Sequence, residues 1–131
     1  MGCVGMNIIG IGTDIIETER FKQYELPFDE HFCKRVFTEY ERGYLIKKNK
    51  AAAQSMAGFF AAKEAVAKAI GTGFNGFWPG VVEIQHDPMG KPLTVLHGGA
   101  QEAAQQAGIA RIDVSISHCD HYAVAFAVAI G

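Results

Sequence analysis

The chain has 131 residues, 49% of them hydrophobic, which is enough for one domain around one core and cramped for two. Its 12 basic and 14 acidic residues leave a formal net charge of -2, which argues against bulk nucleic-acid binding while permitting a local basic patch. Cys3, Cys33 and Cys119 are odd in number, far apart and without a CxxC spacing, so neither a disulfide framework nor a zinc knuckle is indicated and a reducing, cytoplasmic setting is expected.

The opening residues, MGCVGMNIIGIG, have no basic n-region and only a short apolar run, so neither a signal peptide nor a membrane span is expected. Gly2 resembles an acylation start, but Met6 stands where that motif wants Ser or Thr. Residues 1–5 are expected to be a non-essential extension, since Met6 can itself serve as a start. Residues 7–13 (NIIGIGT) are β-branched with interleaved glycines, the pattern of a buried strand at a close backbone approach. Asp14 is expected to end it and to cap a short helix, DIIETERFKQY, with Glu17 at the third helical position. Leu26 and Pro27 break that helix. Apolar residues at helical spacing then predict two helices meeting near Thr38, where Thr38 and Glu41 form a second capping box. The KKNK run at 47–50 reads as a solvated end.

Residues 55–70 are alanine-rich and free of proline, which predicts a long helix. The loop GTGFNGFWPG (71–80) follows, and then a hairpin of VVEIQH (81–86) and LTVLH (93–97) around the turn DPMG. A helix over 98–107 closes at Gly108, and two strands, 112–118 and 122–130, meet at a tight connection over 119–121. In the last strand Tyr122, Val124, Phe126, Val128 and Ile130 share one face and alanines the other, which suits packing against a helix. Segregated strands and helices give an α+β class, a mostly antiparallel sheet against the long helix.

On the alanine helix, Glu64 and Lys68 read either as an exposed i,i+4 pair or as groups covered by small neighbours that therefore need a counter-charge. Asp14 at a strand end and Glu64 are two carboxylates of the kind Mg²⁺ takes together with phosphate oxygens, and Lys68 would lie on the same side to meet a phosphate. Gly71 and Gly73 read either as a helix terminator or as backbone donors to an anion. In SISHCDH, His118 ends the row of Val114 and Ile116, while Ser117 points the opposite way, so a Ser-His nucleophile pair is discounted. His118, Asp120 and His121 are near enough in sequence to suggest a metal cluster, although a lone histidine at a strand end is more often structural, and His121 is expected in the turn. Arg20, Lys22, Lys34 and Arg35 are either solvated charges or a patch for an acidic protein.

With GIGTDIIE (10–17), FAAKEAVAKAIGTG (60–73), the GKP of DPMGKP (87–92) and SISH (115–118) in this order, the chain resembles the holo-acyl-carrier-protein synthases, the small bacterial 4′-phosphopantetheinyl transferases. The resemblance extends over nearly all of the chain from Met6. It implies a single 4′-phosphopantetheinyl transferase domain that moves phosphopantetheine from coenzyme A to a serine of apo acyl carrier protein, supporting fatty acid biosynthesis and releasing adenosine 3′,5′-bisphosphate. It further implies Mg²⁺ on Asp14 and Glu64, with Lys68 at the phosphates as the third catalytic residue. Gly71, Gly73, Gly90, Lys91 and His118 would contact coenzyme A, Arg20 and Arg35 would dock the carrier protein, and a homotrimer would share its sites between subunits. His31 stands where relatives often carry arginine. Two other readings are a non-catalytic coenzyme A or nucleotide-binding module and a Mg²⁺-dependent phosphohydrolase that uses water as acceptor.

Overall fold

The computed structural model describes residues 7–24, 30–48 and 51–131. The segment 1–5, the break at Leu26 and Pro27 and the end of the KKNK run lie outside the described residues. Strand β1 (Ile8–Glu17) leads into a 3₁₀ helix (Thr18–Tyr24), and helices α1 (Glu30–Val36), α2 (Glu39–Lys48) and α3 (Ala52–Ile70) follow. A short 3₁₀ turn (Pro79–Val81) opens the hairpin β2 (Val82–His86) and β3 (Pro92–Leu96). Helix α4 (Gly98–Gln106) and strands β4 (Arg111–His118) and β5 (Tyr122–Ile130) complete the chain.

The fold is α+β, as expected. β1, β5 and β4 form one antiparallel sheet in that order, and β2 and β3 form a second. Ala123, Ala125, Ala127 and Ala129 of β5 are buried, as the alternation predicts, and α3 lies against that small-residue face. The interleaved glycines of β1 have the expected role. A Cβ at Gly10 or Gly12 would run into the carbonyl oxygens of Ala69 and Ala65, so strand and helix meet backbone to backbone.

One expected element is corrected. Asp14 does not cap a helix, because β1 continues to Glu17, with Asp14, Ile15, Ile16 and Glu17 opposite Ala125, Val124, Ala123 and Tyr122. A capping box is worth about 1 kcal/mol, whereas extending the ladder satisfies the backbone and buries Ile16, worth about 1.5–3 kcal/mol. Helix thus begins only at Thr18, and as 3₁₀.

Helix α3 starts three residues earlier than its composition suggested and is buried on nearly every side. Gly71 closes it in the left-handed region (φ 103°), its N–H donating to the carbonyls of Ala67 and Lys68, while the Gly73 N–H returns to Ala67 at 3.1 Å. At the start of α2 the expected capping box is present: the Thr38 N–H donates to Glu41 Oε1 at 2.9 Å, and the Glu41 N–H donates to Thr38 Oγ1 at 3.2 Å.

Glu41 does more than cap. Its side chain is fully buried, pairs with the fully buried Lys63 of α3 at 2.8 Å, and accepts the Ile84 N–H of β2 at 2.7 Å. Lys63 also donates to the carbonyls of Pro79 and Val82, so this pair ties α2, α3 and the hairpin together. Burial pushes the Lys63 pKa below its ordinary value, and the Glu41 carboxylate partly restores it.

Candidate active site

Asp14 lies on the α3-facing side of β1, in the row of Gly10, Gly12 and Ile16. Because Gly12 sits on the backbone at Ala65, β1 carries Asp14 to the stretch of α3 that holds Glu64 and Lys68. Lys68 Nζ donates to the Thr13 carbonyl at 2.9 Å and lies 3.4 Å from Asp14 Oδ1. Its ion-pair partner is therefore Asp14, and Glu64 acts on it at longer range. Two of the three ammonium donors face β1, which leaves one for an anion.

Glu64 is partly buried, between the two readings its surroundings allowed. Burial raises its pKa first and the Asp14 carboxylate raises it further, while Lys68 and Arg20 oppose both. Lys68 thus pairs with Asp14, and both lie close enough to Glu64 to act on its charge, as does Arg20 of the 3₁₀ helix. No group of three or more His, Cys, Asp or Glu side chains gathers among the described residues. The SISHCDH segment consequently forms no metal cluster there.

The remaining expected contacts divide. His118 and Gly90 line one cleft of about 190 Å³ with Tyr44, Ser55, Phe59 and His86, beside Gly58 of α3. Lys91 instead lines a cleft of about 450 Å³ between β3, α4 and β4. The N–H groups of Gly71 and Gly73 are occupied by α3 carbonyls, so these glycines act as the helix terminator and not as anion donors through those groups. Ser117 faces away from His118, opposite Val124 on the outer side of the sheet. Asp14 and His118 share the inner face with β5 between them, which sets their Cα atoms roughly 12 Å apart.

Sequence reasoning missed two features beside this site. The first is the Lys63–Glu41 pair adjoining Glu64; the small neighbours that argued for a covered Glu64 apply equally to Lys63. The second is the ring of His86 stacked on Tyr44 at 4.4 Å, with its Nδ1 buried and unpartnered. Only the meeting of α2 with β2 brings these two rings together. Burial lowers the His86 pKa, Lys48 adds to that, and Asp87 opposes it.

Residues 10–127 match the family description "4'-phosphopantetheinyl transferase superfamily". This chain belongs to that superfamily. It is 48% identical over 123 residues to a holo-[acyl-carrier-protein] synthase of Caldanaerobacter subterraneus subsp. tengcongensis, covering 94% of this chain and 95% of the relative. A Clostridium acetobutylicum protein of the same name is 46% identical over 121 residues, 92% of this chain and 96% of the relative. Among solved structures, holo-ACP-synthase from Plasmodium yoelii superposes with a TM-score of 0.82 at 35% identity, covering 97% of this chain and 98% of the other. A Bacillus anthracis holo-(acyl-carrier-protein) synthase in complex with CoA (3',5'-ADP) gives 0.77 at 34% identity, covering 97% and 99%.

Proposed function

We propose that this chain transfers the 4′-phosphopantetheine arm of coenzyme A to a serine hydroxyl of apo acyl carrier protein in the cytoplasm, supplying holo-carrier for fatty acid biosynthesis. The observation that carries the reading is the convergence of Asp14, Glu64 and Lys68 from β1 and α3 in a member of this superfamily. The donor chemistry fits Mg²⁺. Burial, and after it the charge of Asp14, raise the Glu64 pKa, and no third ligand side chain joins these two oxygen donors among the described residues. A cation that completes its shell with waters and substrate phosphates suits such a pair. When bound by Asp14 and Glu64, Mg²⁺ would supply neutralisation of the pyrophosphate charge.

Lys68 supplies a further positive charge. Held by the Thr13 carbonyl and Asp14, its remaining donor meets the phosphate oxygens and offsets the charge that builds on the departing 3′,5′-bisphosphate. The serine oxygen, which belongs to the partner, bonds to the phosphorus on the pantetheine side as the bond to the bisphosphate oxygen breaks. Positioning and charge neutralisation suffice for this displacement, so no enzyme nucleophile is needed. His118 and Gly90 hold the nucleotide end of coenzyme A in the cleft they share, with Lys91 at the edge of that hairpin turn. Gly71 and Gly73 contribute by ending α3 just beyond Lys68, leaving its ammonium open to the ligand.

Arg20 and Arg35 receive the acidic carrier protein. We assign residues 1–131 to a single transferase domain that assembles as a homotrimer. Ile11, Ile15, Tyr122, Val124 and Phe126 all project from the outer face of the three-stranded sheet and are 40–65% exposed, an apolar surface that self-association would cover.

The test is the intact mass of an apo acyl carrier protein after incubation with the protein, coenzyme A and Mg²⁺, with a chelator control. A gain of one phosphopantetheine unit that chelation abolishes is expected. Coenzyme A raising the melting temperature without any mass gain would leave a binding module in its place. Bisphosphate release without a carrier protein would indicate a hydrolase.

A further inference from the structure

We propose that Tyr40 and Glu41 are positioning residues for coenzyme A: with Lys63 they hold the free edge of β2, and so set where the hairpin turn stands relative to His118 across the nucleotide cleft. This deepens the transfer reaction proposed above and rests on it.

The hairpin shares no ladder with the main sheet, since among the described residues β2 and β3 pair only with each other. In an antiparallel pair, alternate residues turn their N–H and carbonyl groups to the same edge. In β2 the edge away from β3 belongs to Val82, Ile84 and His86, and helices rather than a strand satisfy it. The Ile84 N–H donates to Glu41 Oε2 at 2.7 Å, the His86 N–H donates to Tyr40 Oη at 3.0 Å, and the Val82 carbonyl accepts from Lys63 Nζ. Lys63 directs its other two donors to Glu41 Oε1 at 2.8 Å and the Pro79 carbonyl at 3.0 Å, so all three are used. Val82 and Ile84 are also buried, but apolar burial is non-directional and leaves room for a slide along the strand. The directional bonds fix the register, because Tyr40 and Glu41 are consecutive on α2 and grip the strand at positions two residues apart.

The cleft moves with that register. Its lining combines His86, Gly90 and Pro92 of the hairpin with Ile116 and His118 of β4. The turn between is stiff in itself: Asp87 Oδ1 accepts the Met89 and Lys91 N–H groups at 2.9 Å each, and the Asp87 N–H donates to the Lys91 carbonyl at 2.9 Å. A shift of β2 is therefore passed on to Gly90 rather than absorbed on the way. Neither Tyr40 nor Glu41 lines this cleft, so both act on it through the strand.

The experiment compares the full-length protein with Tyr40→Phe, which keeps the ring and removes only the acceptor of the His86 N–H. Binding of adenosine 3′,5′-bisphosphate, followed by titration calorimetry, is expected to weaken about fivefold. In the steady state KM for coenzyme A is expected to rise by a similar factor, while kcat and KM for the carrier protein stay within about twofold. A purely structural role gives the opposite split, since a smaller folded fraction lowers kcat and leaves KM for coenzyme A unchanged. Glu41→Gln keeps the side chain's size and loses one acceptor oxygen, and is expected to raise the same KM further; melting curves set the assay temperature below the transition of each variant. Unchanged bisphosphate affinity and coenzyme A KM in Tyr40→Phe, or a loss confined to kcat, overturns the proposal while leaving the transferase standing. Absence of mass gain with every carrier protein overturns the reaction itself, and the positioning role with it.

Discussion

Glu64 is held in a state that costs the fold something. Its carboxyl titrates above the ordinary 4.5, so between 4.5 and that raised value the folded chain keeps a proton that the unfolded chain has released. Stability therefore falls as pH rises through that interval and stays lowered above it. In chelator, Glu64→Gln is expected to melt higher than the parent at pH 8, the difference closing by about pH 3.5, where Glu64 is protonated in the folded and the unfolded chain alike. Scanning calorimetry across this range checks the sign. Activity moves the opposite way: Asp14→Asn and Glu64→Gln are each expected to lower kcat/KM by at least 10²-fold while the circular dichroism spectrum is kept. Unchanged turnover in both would remove these residues from the site. The grouping of Asp14, Glu64 and Lys68 came from the resemblance, whose motifs carry all three, since spacing alone left Glu64 and Lys68 open between an exposed pair and a ligand-facing one. The Tyr44–His86 stack was not legible, since it joins segments more than 40 residues apart whose meeting depends on the packing of whole elements.

Among the elements, α3 is the organiser. It touches β1, β5 and β4 on one side and the 3₁₀ helix, α2 and β2 on the other, and one buried ion pair fixes its register against α2 and the hairpin. Removing one partner strands a charge together with the backbone groups it satisfies, namely the Thr38 and Ile84 N–H groups for Glu41. Glu41→Ala is expected to cost about 3–5 kcal/mol in urea-induced unfolding. Most boundaries of these elements could be read from alternation and turn residues, because Tyr122–Ile130 alternates between exposed and buried positions and the DPMG turn separates Val82–His86 from Pro92–Leu96. The misread element, 14–17, carried a valid capping signal and a valid strand signal at once. The outcome depended on β5, more than 100 residues away, which offered a ladder partner.

Across the whole molecule, the two faces of the main sheet are treated differently. The inner one carries glycine and alanine and is closed by α3; the outer one presents Ile11, Ile15, Val124 and Phe126 to the surroundings. If that face joins copies of the chain, Phe126→Asp is expected to yield monomers by light scattering and to remove the dependence of the melting temperature on protein concentration. An unaltered molar mass would place the interface elsewhere. The inner face bears on engineering. Where β1 crosses α3, main chain rests on main chain at Gly10 and Gly12, so no side chain acts as a spacer between the strand that bears Asp14 and the helix that bears Glu64. The gap between the two carboxylates is thus set like the jaw of a fixed wrench. Redesign of Phe37, Met56 or Val82 in the surrounding core can proceed without resetting it, whereas a single methyl added at either glycine opens the jaw.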